Sequence, residues 1–112
     1  MDHEFSKNED LFSSIFVSII MPVYNRDFCI EKAINSVISQ THQKWSLIII
    51  DDGSHDNTEK IISKYLADSR IKLFKQKRKG VSKSRNQGLS LANHKYIFYL
   101  DSDNTWYPRY LF

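Results

Sequence analysis

The chain has 112 residues, 41% of them hydrophobic, which is enough for one compact core and too little for two. Its 16 Lys and Arg against 13 Asp and Glu leave a net charge of +3, a balance that permits nucleic-acid binding without demanding it. The single Cys29 excludes an internal disulfide, and no apolar run approaches the roughly 20 residues that a bilayer span needs.

Residues 1–14 mix charge and serine without a sustained period and read as a mobile N-terminal arm or short helical leader, leaving 15–112 as the domain. From Val17 the run Val17-Ser18-Ile19-Ile20-Met21 suits a buried parallel strand, and Pro22 is expected to stop it. Asp27 is placed to cap a helix whose Ile30, Ala33, Ile34, Val37 and Ile38 fall on one face, ending near residues 40–42. Leu47-Ile48-Ile49-Ile50 is apolar at every position, as a central strand covered on both sides requires, and it delivers Asp51, Asp52 and Gly53 to a loop.

Asp56 followed by Glu59 has the spacing of a capping box, ahead of a second helix with Ile61, Ile62, Tyr65 and Leu66 on its buried stripe. Ile71-Lys72-Leu73-Phe74 partly alternates and reads as an edge strand with Lys72 outward. After Gly80 a third helix is expected over 81–93, with Gly88 allowing close approach to the sheet, and Tyr96 to Leu100 form the fourth strand. The order β-α-β-α-β-α-β predicts an α/β, Rossmann-like parallel sheet in the order 3-2-1-4. Its switch point then lies between the first and fourth strands, where Asn25 and Asp103 are expected to meet. Pro108 reads as the first turn of a further helix, and the open edge of the fourth strand predicts pairing with a second copy.

Ligands of open α/β sheets gather at the carboxyl ends of the strands, so the loops carrying Asn25, Asp51-Asp52 and Asp101-Ser102-Asp103 should converge. A paired carboxylate at such an end reads as a magnesium or manganese site. Nine Lys or Arg lie between Asp68 and Asp101 with no Asp or Glu among them, and acid for a metal beside base for phosphate points to a nucleotide. His3, His42, His55 and His94 lack metal-ligand spacing, and Cys29 beside an apolar helix face reads as a small hydrophobe. With no leader peptide recognised, the expected compartment is the cytoplasm, with peripheral contact at the inner membrane face left open.

Five blocks carry a resemblance. Ser18 to Asn25, Ser36 to Thr41, Ile50 to Thr58, Ser84 to Gly88 and Leu100 to Asp103 resemble, in order and spacing, the motifs of the family 2 glycosyltransferases of GT-A fold. The resemblance covers about residues 17–112 and corresponds to the nucleotide-sugar-binding half of such an enzyme, cut after the D-x-D strand. It implies an inverting, metal-dependent transfer of a sugar from a nucleotide-diphosphate donor, with a UDP-sugar favoured, to a glycan or lipid-linked acceptor in cell-surface polysaccharide biosynthesis. It also implies that Pro22, Tyr24 and Asn25 line the nucleotide, that Asp52 accepts the imino proton of the base, and that Asp51 serves loop geometry.

Arg85, with Lys79 or Lys83 nearby, is the implied diphosphate contact, since a guanidinium can grip two phosphate oxygens. Asp103 is the implied direct ligand of Mn2+ or Mg2+, and Asp101 touches the ribose or holds the metal through water. Lys75, Lys77, Arg78 and Lys79 read as a solvated loop. Trp45 reads as packing, and Trp106 as a border of the sugar pocket. Where the family often places another Asp after the metal motif this chain has Asn104, and the catalytic base is expected beyond Phe112, so residues 1–112 alone should bind without transferring. Two other readings stand beside this one: a nucleotide-binding module without catalysis, and a phosphatase of haloacid-dehalogenase type, which 97–105 also resemble but which would use this strand to open its domain.

Overall fold

The computed structural model describes residues 14–112, so the arm expected over 1–14 lies, apart from Ser14, outside the described residues. The elements alternate as the sequence predicts: β1 (Val17–Val23), α1 (Ile30–Ile38), β2 (Trp45–Asp51), α2 (Thr58–Ser63), β3 (Ile71–Lys75), α3 (Val81–Leu91) and β4 (Tyr96–Tyr99). Every pairing is parallel and the sheet order is β3-β2-β1-β4. Lys72 on the β3 edge is exposed, as expected of an edge guard. No helix among the described residues is long and apolar enough to cross a membrane.

The near-continuous apolar strands follow from cover on both faces. Val17, Ile19, Met21 and Val23 of β1 and Leu47 and Ile49 of β2 share a cluster with Ile30, Ala33, Ile34 and Val37 of α1 and Ile62 of α2. The alternate residues point the other way, to α3. Ile20 meets that helix at Gly88, where a Cβ would stand 2.4 Å from the Ile20 Cγ2. Trp45, 1% exposed, is packing as expected, with the Arg70 guanidinium 3.8 Å from its ring centroid.

Pro22 does not stop β1. The strand continues through Val23, with Pro22 opposite Ile50. The reason is the side on which the missing N–H falls. Ile20 C=O accepts the Leu100 N–H at 3.0 Å, so even-numbered residues of β1 face β4, and the next rung would need a donor from residue 22 to the Leu100 carbonyl. Pro22 has none to give. The β2 side of the strand is untouched, with Val23 C=O accepting Asp52 N–H at 2.9 Å. β1 therefore stays paired to β2 while β4 parts from it.

Three other expectations are corrected. Asp27 does not cap α1: the helix begins at Ile30, and the Asp27 carboxylate instead accepts the Asn57 N–H at 3.3 Å. Asp56 does hold the start of α2, accepting the Thr58 N–H at 2.9 Å, but Glu59 does not close the box because Lys75 of β3 takes it at 2.8 Å. The α2 stripe stops short, since the helix ends at Ser63 and leaves Leu66 38% exposed.

Pro108 starts no helix. It sits second in a turn closed by Tyr110 N–H to Tyr107 C=O at 3.0 Å. The groups a helix would use are already engaged: Tyr107 C=O accepts Gln40 Nε2 at 2.7 Å, Pro108 C=O accepts Thr41 N–H at 2.8 Å, and Leu111 N–H donates to Gln40 Oε1 at 3.1 Å.

Candidate functional site

Where β1 and β4 part, a cleft of about 350 Å³ opens at the carboxyl end of the sheet. Of the residues expected at a nucleotide, Pro22, Tyr24, Asp52, Arg85, Asp101 and Asp103 line it. Asn25 does not. Its backbone is left-handed at φ 51° and its side-chain oxygen accepts the His55 N–H at 2.8 Å, so it is spent on joining two loops.

That join is the platform of the site. Asn25 N–H donates to Ser54 Oγ at 2.9 Å, Arg26 N–H to Thr58 Oγ1 at 2.9 Å and Asp27 N–H to Asp56 Oδ2 at 3.2 Å, so the loop after β1 is sewn to the loop after β2. Asp51, 2% exposed, accepts the Ser54 N–H at 3.0 Å, the loop-shaping role expected of it. Burial pushes the Asp56 carboxyl up, but the Thr58 hydroxyl and N–H, with the Asp27 N–H, hold it below the ordinary carboxylate value.

Asp52 is also 2% exposed and accepts four donors from the 76–80 segment. Gln76 Nε2 and Lys79 N–H reach Oδ1 at 2.9 and 2.7 Å, while Arg78 Nη1 and Gly80 N–H reach Oδ2 at 2.6 and 2.9 Å. Burial alone would raise its pKa, yet these bonds outweigh burial and leave the carboxyl below its usual range. Gly53 lets the segment come this close: its φ is +86°, and a Cβ there would be 3.2 Å from the Arg78 nitrogen.

The sequence places Arg78 in a solvated run, and the structure corrects that. Its guanidinium lies 3.7 Å from the Tyr24 ring centroid while pairing with Asp52, and it lines the cleft. Lys79 contributes its backbone to Asp52 and, like Lys83, is absent from the lining. Ser84 was missed too: fully buried, its hydroxyl accepts Gln76 Nε2 at 3.0 Å and donates to Gly80 C=O at 3.0 Å, anchoring α3 to the segment that holds Asp52. A serine immediately before Arg85 in a motif was the one signal for it.

On the opposite wall Arg85 Nη2 donates to Asp101 Oδ1 at 2.9 Å, and its Nε is buried with no hydrogen-bond partner. Asp101, Ser102, Asp103 and Asn104 form a turn, Asn104 N–H donating to Asp101 C=O at 3.0 Å, and the side chains of both acids are exposed. Cys29 is more than core filling, since its Sγ lies 3.5 Å from Ser102 C=O and steadies this turn. Burial pushes its thiol pKa up. Trp106 lies elsewhere, 4.5 Å from the Tyr110 ring in a stack and edge-on to Phe98 at 6.1 Å, and does not border the cleft.

Among the described residues no group of three or more His, Cys, Asp or Glu could hold a metal. Two acids on one exposed turn fit a hard divalent cation only when phosphate oxygens and water complete its shell, which is how magnesium and manganese are commonly held beside nucleotides.

The sequence profile of Glycosyl transferase family 2 matches residues 18–112. The chain is 44% identical over 91 residues to the UDP-Glc:alpha-D-GlcNAc-diphosphoundecaprenol beta-1,3-glucosyltransferase WfgD of Escherichia coli, covering 80% of this chain and 36% of that protein. It is 40% identical over 99 residues to the poly(ribitol-phosphate) beta-N-acetylglucosaminyltransferase TarP of Staphylococcus aureus, covering 85% of this chain and 30% of the relative. The structure of S. aureus TarS 1-349 in complex with UDP superposes with a TM-score of 0.81 at 29% identity, over 87% of this chain and 30% of that one. The chain thus spans about a third of the length of these relatives.

Proposed function

This chain belongs to Glycosyl transferase family 2, and from that premise we propose that its cleft binds the nucleoside diphosphate of a sugar donor, a UDP-sugar in the first instance. The whole protein would then move the sugar, with inversion, to a glycan or lipid-linked acceptor in cell-surface polysaccharide assembly. The observation that carries the reading is the meeting of Tyr24, Asp52, Arg85, Asp101 and Asp103 around one cleft, from three strand ends and a helix that lie far apart in the sequence. The UDP held by TarS supports uridine as the base, and the diphosphoundecaprenol in the name of WfgD supports a lipid-linked acceptor. Membership of this family replaces the phosphatase reading.

Each side chain has a role that its surroundings suit. Tyr24 offers a ring face to the base, and Asp52 a carboxylate kept ionised by its donors. Arg85 has a buried Nε left over after serving Asp101, and a diphosphate oxygen would satisfy the guanidinium better than one carboxylate does. Asp101 orients the ribose, and Asp103 would hold Mn2+ or Mg2+ against the diphosphate. When bound, that cation supplies Lewis-acid stabilisation of charge on the departing diphosphate. With Asp52 held by four donors, Asp101 by Arg85 and Asp103 given to the cation in this reading, no lining carboxylate is left to deprotonate an acceptor hydroxyl, so residues 1–112 alone should bind donor without transferring it.

The test is a thermal-shift titration with UDP, with and without Mn2+. Asp103→Ala should weaken the metal-dependent component by about tenfold or more, the loss expected of one charge-assisted contact worth roughly 1.5–3 kcal/mol. Metal-dependent binding that is unchanged in Asp103→Ala removes its assignment, and no UDP binding by the unaltered chain removes the donor site.

A further inference from the structure

The four donors on Asp52 fill the lone-pair sites of a carboxylate, so a nucleobase whose imino proton is to reach it must displace one of them. Two are backbone N–H groups, of Lys79 and Gly80, and cannot leave without moving the chain. Gln76 is tied a second time, to buried Ser84. Arg78 alone is free to go: its side chain is 56% exposed, against 3% for Asp52. Arg78 also lies over the Tyr24 ring, its guanidinium carbon 3.7 Å from the centroid.

A planar group stacked on Tyr24 with an N–H aimed at Asp52 is a description that fits both this guanidinium and a pyrimidine. We propose that Arg78 is an internal competitor for the nucleobase, holding the aromatic face and the Asp52 acceptor that the base must take over. The proposal rests on the donor-site reading above and adds a residue that sets how tightly the base is held. The exchange replaces a salt-sensitive ion pair by a hydrogen bond from an uncharged donor to the same carboxylate.

Uridine tests the base subsite without any phosphate, and ligand-observed NMR titrations of uridine and of UDP with Mn2+ separate this inference from the reading beneath it. Arg78→Ala should bind uridine about three- to tenfold more tightly, the range of an exposed ion pair and a cation-π contact removed together. In the unaltered chain, KCl should strengthen uridine binding by screening Arg78 from Asp52, and Arg78→Ala should lose that dependence. Arg78→Met, which covers Tyr24 but cannot donate, guards against a folding defect in the alanine variant. Unchanged or weaker uridine binding in either folded variant, with UDP still bound, overturns the inference alone. Failure of the unaltered chain to bind UDP overturns the donor site and this inference with it.

Discussion

Asp52 shows how much one carboxylate can organise. Its pKa lies below the ordinary carboxylate value in the folded protein, so its contribution to stability is present above the unfolded value of about 3.9 and is lost as pH falls through the lower folded value. Asp56 and Asp68 are shifted the same way, Asp68 chiefly by its bond to Arg70. Asp52→Asn should therefore be less stable than the unaltered chain near pH 7, with a smaller gap at an acid pH below about 3.9. Urea midpoints at the two values measure this, and a constant gap would contradict it. Asp52, Arg85, Asp101 and Asp103 are legible as cleft residues because the motif blocks that hold them resemble the family's, and because the three acids follow strand ends. The sequence could not separate Arg78 from its neighbours in a basic run, because only the distance to Tyr24 and Asp52 singles it out. Asn25 was illegible for the opposite reason: the same residue type serves ligands and left-handed turns.

At the level of elements, periodicity carried nearly everything. The α1 stripe, the apolar run Leu47–Ile50 of β2 and the acid-first start of α2 are each written in spacing, which is why order and sheet topology follow from the chain alone. Boundaries were less legible, because they depend on which partner wins a group: Lys75 takes Glu59 from its box, and Gln40 takes Tyr107 from a helix. Gly88 tests the packing of α3 directly. Alanine there would gain about 1 kcal/mol of helix propensity, but its Cβ would meet Ile20 at 2.4 Å, and overpacking of that kind costs roughly 1–3 kcal/mol. Gly88→Ala should lower stability on balance, and in urea denaturation its cost should shrink when it is measured in an Ile20→Ala background, where the clashing side chain is gone.

For the molecule as a whole, Gln40 ties the ends of the fold together. Buried at 1% exposure just after α1, it donates to Tyr107 C=O and accepts from Leu111 N–H, so the last residues are held to the first helix. Gln40→Leu keeps the volume but strands the Leu111 N–H, at a cost of about 1–3 kcal/mol, and leaves Tyr107 C=O with only its turn bond to Tyr110. The expected result is a lower urea midpoint with amide exchange at Leu111 accelerated; protection there at the original level would rule the tie out. Pro22 has the wider reach. An imino acid at the parting of β1 and β4 fixes the mouth of the cleft when the sheet assembles, so the ordering entropy is settled during folding and the proposed donor would have no backbone rung to break. A residue with an amide hydrogen in its place would offer the Leu100 carbonyl a donor and let the two strands zip further, narrowing the doorway between them.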